Sequence, residues 1–177
     1  MRTLAFAAAF LLAAAVPAWA SLPDGATAPT FTTQGALAGK IHSFSLNEAL
    51  KKGPVVLYFF PAAFTKGCTL EAHDFAEATE AFKRYSATVV GITAGNIDRI
   101  AEFSSLECRN KFLVAADPNA KIAASYDAKN RGNPAISDRT SYVIAPNGRI
   151  VASYTDNNPD LHVQKMLEAV KSLSVAD

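Results

Sequence analysis

Val55-Val56-Leu57-Tyr58-Phe59-Phe60 is a continuous apolar run of β-branched and aromatic residues, which predicts a central strand buried on both faces. Beyond Cys68 the apolar positions change to helical spacing, and Phe75, Ala78, Phe82 and Tyr85 predict a helix over Thr69 to Tyr85. Thr88 to Thr93 reads as the next strand. Asn96 is placed to cap a helix from Ile97 to about Glu107, with Ile100, Phe103 and Leu106 turned inward. Phe112 to Ala116 reads as a third strand, ended by Asp117-Pro118-Asn119, and Lys121 to Tyr126 as a short helix. Thr140 to Ala145 and Arg149 to Tyr154 flank Pro146-Asn147-Gly148, where Asn-Gly between two strand-like runs signals a hairpin. Asn158-Pro159 opens a last helix carrying Leu161, Val163, Met166, Leu167, Val170 and Leu173 at helical periodicity.

The region before the first apolar run is less regular. It begins with the Gly/Pro/Thr-rich lead Leu22 to Pro29. Ile41 to Leu46 then alternates apolar and polar residues as a short strand would, and Asn47 to Leu50 makes one helical turn that Gly53-Pro54 breaks. Strands alternating with helices imply parallel pairing through crossovers, and the late hairpin adds antiparallel edge strands. The expected architecture is α/β, a central mixed sheet with helices on both faces. No repeat or linker interrupts it, so residues 21–177 read as one domain.

Residues 1–20 have a different texture. Arg2 gives a positive start, Leu4 to Val16 is apolar and rich in alanine, and Ala18-Trp19-Ala20 is a small-x-small cleavage site. This is the layout of a signal peptide, and the apolar run is too short to span a bilayer. The expectation is export, to a periplasm or beyond, with a mature start near Ser21. Without Arg2, sixteen basic residues face sixteen acidic ones. A chain with no net charge has no field to draw nucleic acid or an anionic membrane.

The cysteines sharpen the picture. There are two, Cys68 and Cys108, with no Cys-x-x-Cys, and His42, His73 and His162 are scattered without metal-ligand spacing. Cys68 follows the apolar strand after a short loop and stands at a helix start. There the dipole and unpaired backbone N–H groups favour the thiolate, the reactive form. A free cysteine is more commonly a small buried hydrophobe, but polar Thr65 and Lys66 beside it favour a nucleophile. Thr65 carries a hydroxyl that can donate or accept, or can cap the helix. Pro61 fixes φ at the strand exit.

The spacing Pro61-x-x-x-Thr65-x-x-Cys68, with Glu71 three residues on, resembles the peroxidatic loop of the peroxiredoxins, closest to the bacterioferritin-comigratory type. The segment Asp138-Arg139-Thr140-Ser141-Tyr142-Val143-Ile144 is similar to the strand that carries an arginine in that family. The resemblance implies a thioredoxin-like sandwich and a thiol-dependent peroxidase without cofactor or metal. It gives Cys68 the peroxidatic role, Pro61 the shielding of the thiol, and Arg139 and Thr65 the stabilisation of charge on sulfur and peroxide oxygen. Glu71 is expected to orient the arginine. Lys66, Arg131 and Arg149 are weaker candidates by position.

Some members of that type carry a second cysteine where this chain has His73, so their disulfide cannot form here. Others place a resolving cysteine one helix later, which assigns Cys108 the resolving role through an intramolecular disulfide. Two alternatives stand beside this. Cys108 can be idle in a one-cysteine enzyme with an external resolver. Or the two cysteines can staple a non-catalytic binding module of the same fold. Expected partners are a peroxide and a thioredoxin-like or other dithiol reductant, and the chain is a monomer or homodimer.

Overall fold

The computed structural model describes residues 21–175. Seven strands form one sheet in the order β2-β1-β5-β4-β3-β6-β7. They are β1 (Thr32–Leu37), β2 (Lys40–Ser45), β3 (Val55–Ala62), β4 (Thr88–Gly95), β5 (Leu113–Ala116), β6 (Thr140–Ile144) and β7 (Ile150–Thr155). The central β3, β4 and β5 run parallel, whereas β1 pairs antiparallel with β5, and β6 with β3. Helices α1 (Leu46–Leu50), α2 (Lys66–Lys83), α3 (Ile100–Leu106), α4 (Lys121–Ser125) and α5 (His162–Val175) cover the two faces. The mixed α/β architecture is as expected. The anticipated signal peptide, residues 1–20, lies outside the described residues.

Strand β3 divides the core. Its side chains alternate, so Val56, Tyr58 and Phe60 enter one apolar cluster with α2, α3 and α5. Val55, Leu57 and Phe59 enter a second cluster with α1 and α4. Tyr58 stacks on Phe75 of α2 at a centroid separation of 4.3 Å, and Phe60 stacks on Phe103 of α3 at 5.4 Å. These stacks fix α2 and α3 over the carboxyl end of β3, where the Cys68 loop leaves the sheet.

Several local expectations change. Strand β1 carries no apolar signature, and its hairpin to β2 turns through Ala38 and Gly39, both at positive φ (50° and 77°). Such a turn is usually announced by Asn-Gly, and alanine in its first position hides it. The late hairpin supplies only one edge, β7, because β6 is paired on both sides. Helix α2 begins at Lys66 rather than Thr69, since the Thr69 amide already donates to the Thr65 carbonyl at 2.9 Å. Asn96 does not cap α3. It stands in the left-handed region and its amide donates to the Ala63 carbonyl at 2.8 Å. Leu106, expected inward, is 58% exposed because α3 ends there. No helix of the described residues is long and apolar enough to cross a membrane.

The loop after β3 is pinned to β4. Ala62 pairs with Gly95, the Ala63 amide donates to the Gly95 carbonyl, and the Thr93 hydroxyl donates to the Pro61 carbonyl at 3.3 Å. A Cβ on Gly95 would stand 2.5 Å from the Ala62 Cβ and 2.6 Å from the Pro61 oxygen. Gly95→Ala should therefore destabilise the protein by about 1–3 kcal/mol through overpacking, read as a lower midpoint in urea at unchanged slope.

Candidate active site

Cys68 is the third residue of α2, and Thr65 stands at the N-cap position. The amides of Lys66, Gly67 and Cys68 therefore precede the first intrahelical hydrogen bond and aim their N–H groups at the loop. The thiol is buried at 1% exposure, in the apolar cluster against which Phe64 of the preceding loop packs. Phe64 sits at φ 64°, a strained setting for a bulky residue. Its ring meets Phe103 edge-on at 5.2 Å, and the Arg99 guanidinium stacks over it at 3.9 Å.

Arg139, just before β6, reaches the sulfur close against Gly67 of α2. Its Nη2 donates to Cys68 Sγ at 3.6 Å, its Nη1 to Glu71 Oε2, and its Nε to the Asn157 carbonyl at 3.1 Å. The expected trio of Cys68, Arg139 and Glu71 is thus assembled as one buried chain. Burial acts against the guanidinium charge, but Glu71 and then Cys68 outweigh it and raise the arginine pKa further. Burial dominates at Glu71, which is pushed up to about 8 despite the pull of Arg139.

Other expected residues sit differently. The Thr65 hydroxyl is exposed and donates to the Ala62 carbonyl at 3.1 Å, so it neither caps α2 nor bonds the sulfur in this structure. Lys66 and Arg131 are exposed, and Arg149 donates to the Gly25 carbonyl. Cys108 lies two residues past the end of α3, in the same apolar cluster as Cys68, and both thiols are free. Burial first, and then Glu107, push the Cys108 thiol far above the usual range. Among the described residues no group of three His, Cys, Asp or Glu side chains could hold a metal ion.

The turn around Cys108 is tied to α2 on both sides. His73 meets Glu107 at 2.8 Å and Arg109 meets Glu77 at 2.9 Å. Arg109 and Asn110 both adopt positive φ (50° and 61°), a setting that asparagine tolerates and arginine does not favour.

Two positions beside Arg139 and Glu71 were not singled out from the sequence. Gly67 lets the arginine in, because a Cβ there would stand 3.0 Å from Arg139 Nη2. A glycine in the first turn of a helix is the signal for such a close approach. His162, fully buried at the start of α5, places Nδ1 3.7 Å from Glu71 Oε1. No spacing links it to Cys68, so only the fold brings it in.

Comparison with known proteins agrees with this geometry. The AhpC/TSA family profile matches residues 25–153. The chloroplastic peroxiredoxin Q of Sedum lineare is 30% identical over 156 residues, which is 88% of this chain and 81% of that protein. The Bcp peroxiredoxin of Bacillus subtilis is 30% identical over 126 residues, 68% of this chain and 79% of that one. The crystal structure of the peroxidoxin BcpB from Mycobacterium tuberculosis superposes with a TM-score of 0.76 at 27% identity, covering 85% of this chain and 97% of that one. A cysteine in the first turn of the helix that follows β3, a buried arginine on its sulfur, and these likenesses together place the chain in the AhpC/TSA family, as a peroxidase of the Bcp-like peroxiredoxins with the thioredoxin-like fold.

Proposed function

We propose that Cys68 is the peroxidatic residue and that Arg139 is its activating cation. The observation that carries this reading is the 3.6 Å contact between Arg139 Nη2 and Cys68 Sγ, made by a guanidinium that Glu71 and the Asn157 carbonyl hold in place. The thiolate attacks the terminal oxygen of the peroxide. The S–O bond forms, the O–O bond breaks, and the leaving alkoxide or hydroxide takes a proton from solvent. Arg139 and the amides of the first α2 turn face the charge as it passes from sulfur to oxygen. The Thr65 hydroxyl, at the open side of the loop, can turn from the Ala62 carbonyl to the peroxide. Pro61 shields the sulfur.

Cys108 then resolves the sulfenic acid. Its thiolate attacks the Cys68 sulfur, the S–S bond forms, and the S–O bond breaks to release hydroxide, which takes a proton from solvent and leaves as water. A thiol held protonated by burial is inert, so the Cys108 turn has to open first. Its place at the end of a seven-residue helix and two residues at positive φ favour that opening. A thioredoxin-like dithiol protein reduces the disulfide by exchange. The layout of residues 1–20 supports action outside the cytosol. The second reading, a one-cysteine enzyme, is favoured by the complete burial of Cys108.

Cys68→Ser should abolish peroxide consumption. Arg139→Gln should slow the first reaction about 100- to 1,000-fold, as loss of a transition-state donor does elsewhere. Lysine should restore only part of that rate because its point charge lacks the forked donors. Stopped-flow peroxide kinetics of the reduced protein measure all three, and unchanged kinetics in Arg139→Gln would exclude the arginine.

One equivalent of peroxide should give a Cys68–Cys108 disulfide in the wild type by mass spectrometry. Cys108→Ser should react once and then accumulate sulfenic or sulfinic acid. Wild-type protein that stalls as sulfenic acid with Cys108 still alkylatable decides for the one-cysteine reading.

Fractionation and N-terminal sequencing of the native protein should find Ser21, or a residue near it, as the first residue outside the cytosol. A cytosolic protein retaining Met1 to Ala20 refutes export.

A further inference from the structure

The peroxide reaction as described leaves one buried titratable side chain beside its arginine unused. His162 Nδ1 lies 3.7 Å from Glu71 Oε1. That oxygen is the half of the carboxyl that Arg139 does not take, and it has no hydrogen-bond partner among the described residues. A buried carboxylate oxygen with no donor is costly, and a proton on the pair removes the cost.

The imidazole itself is fixed by its neighbours. Nε2 lies 2.9 Å from the Asp156 carbonyl, which only accepts, so Nε2 carries a hydrogen. Nδ1 lies 2.8 Å from Ser141 Oγ. It accepts from that hydroxyl when the ring is neutral and donates to it when the ring is charged. Either way the ring faces Glu71 without a hydrogen bond, as a neutral neighbour or as a positive charge.

We propose that Glu71 and His162 hold one proton between them while Cys68 is a thiolate, and that this proton frees the charge of Arg139 to act on the sulfur, making His162 a positioning residue for the peroxide reaction. This rests on the reading of Cys68 and Arg139 given above. With the thiolate present, an ionised Glu71 beside a neutral His162 leaves two buried anions competing for one guanidinium. One proton on the pair brings the cluster to neutrality. When the sulfur becomes a neutral sulfenic acid, the same proton leaves the cluster with an excess positive charge, and it departs to solvent.

The surrounding charges agree. On α2, Asp74 strengthens the hold of Glu71 on a proton. Asp156, between β7 and α5, favours a charged imidazole and Arg139 disfavours it. Tyr58 of β3 is buried and Tyr154 of β7 meets the imidazole edge-on at 4.8 Å, and both keep their phenol protons at neutral pH. Asp160, in the turn before α5, acts on Asp74. Burial is the largest influence on each partner, raising Glu71 to about 8 and lowering His162 to about 4. At neutral pH the proton therefore sits on Glu71, and it is lost as pH rises through about 8.

The test is the rate constant of the Cys68 thiolate with hydrogen peroxide, followed by stopped flow from neutral to alkaline pH. The wild type should lose about tenfold in rate across the Glu71 ionisation, less than removal of a donor outright costs. Glu71→Gln, which cannot ionise, should lose that descending limb whatever its absolute rate, and His162→Gln should move the midpoint. A wild-type profile without the limb, or the same limb in Glu71→Gln, overturns the proposal. Difference infrared spectroscopy of the reduced and oxidised wild type needs no variant at His162. It should show a buried carboxylic acid band that disappears on oxidation and is missing from Glu71→Gln. A band that is absent, or unchanged by oxidation, also overturns it. Absence of any peroxide reaction at Cys68 overturns the peroxidatic reading instead, and the infrared band still decides the protonation of Glu71.

Discussion

A guanidinium shut away from water must find its acceptors inside the protein, because an unpaired buried charge costs several kcal/mol or more. Arg139, at 6% exposure, finds them on two elements at once: the first turns of α2 and the connection between β7 and α5. Its planar fork sets their separation. Gly67 is bare so that the fork can lie against the helix, Glu71 is buried because it answers the charge, and the Asn157 carbonyl accepts from Nε. The rest of the site is arranged around that cation, and the sulfur is one acceptor among three.

The fold was largely legible because its core strands are strongly patterned. Val55 to Phe60 has no polar side, and a strand buried on both faces is what the structure contains. The sequence was less explicit where a turn used an unusual residue, as at Ala38, or where a helix end was set by packing, as at Leu106. In the site, the positions near Cys68 could be read from spacing within one loop. Glu71 and Arg139 became readable only through family likeness, since 68 residues separate them. His162 was not readable at all. A lone histidine at a helix start carries no pattern, and its nearness to Glu71 follows from the packing of α5 against α2.

The two thiols illustrate how far surroundings decide reactivity. Both are nearly inaccessible and belong to one apolar cluster. Cys68 stands in the first turn of a long helix with a cation on its sulfur. Cys108 faces aromatic and aliphatic groups, with the Glu107 carboxylate adjacent in the chain, and its proton is correspondingly hard to remove. The clasps His73–Glu107 and Glu77–Arg109 keep it so while the fold is closed.

The path of the chain through the site also has a consequence in time. Cys68 and its loop are made early, whereas Arg139 lies 71 residues later and the Asn157 carbonyl and His162 later still. A growing chain that has emerged only through β5 already carries both cysteines but neither Arg139 nor the groups that hold it. With the role proposed for Arg139, a reactive sulfur waits until β6, β7 and α5 dock, so the completeness of the polypeptide becomes the condition for peroxide chemistry at Cys68.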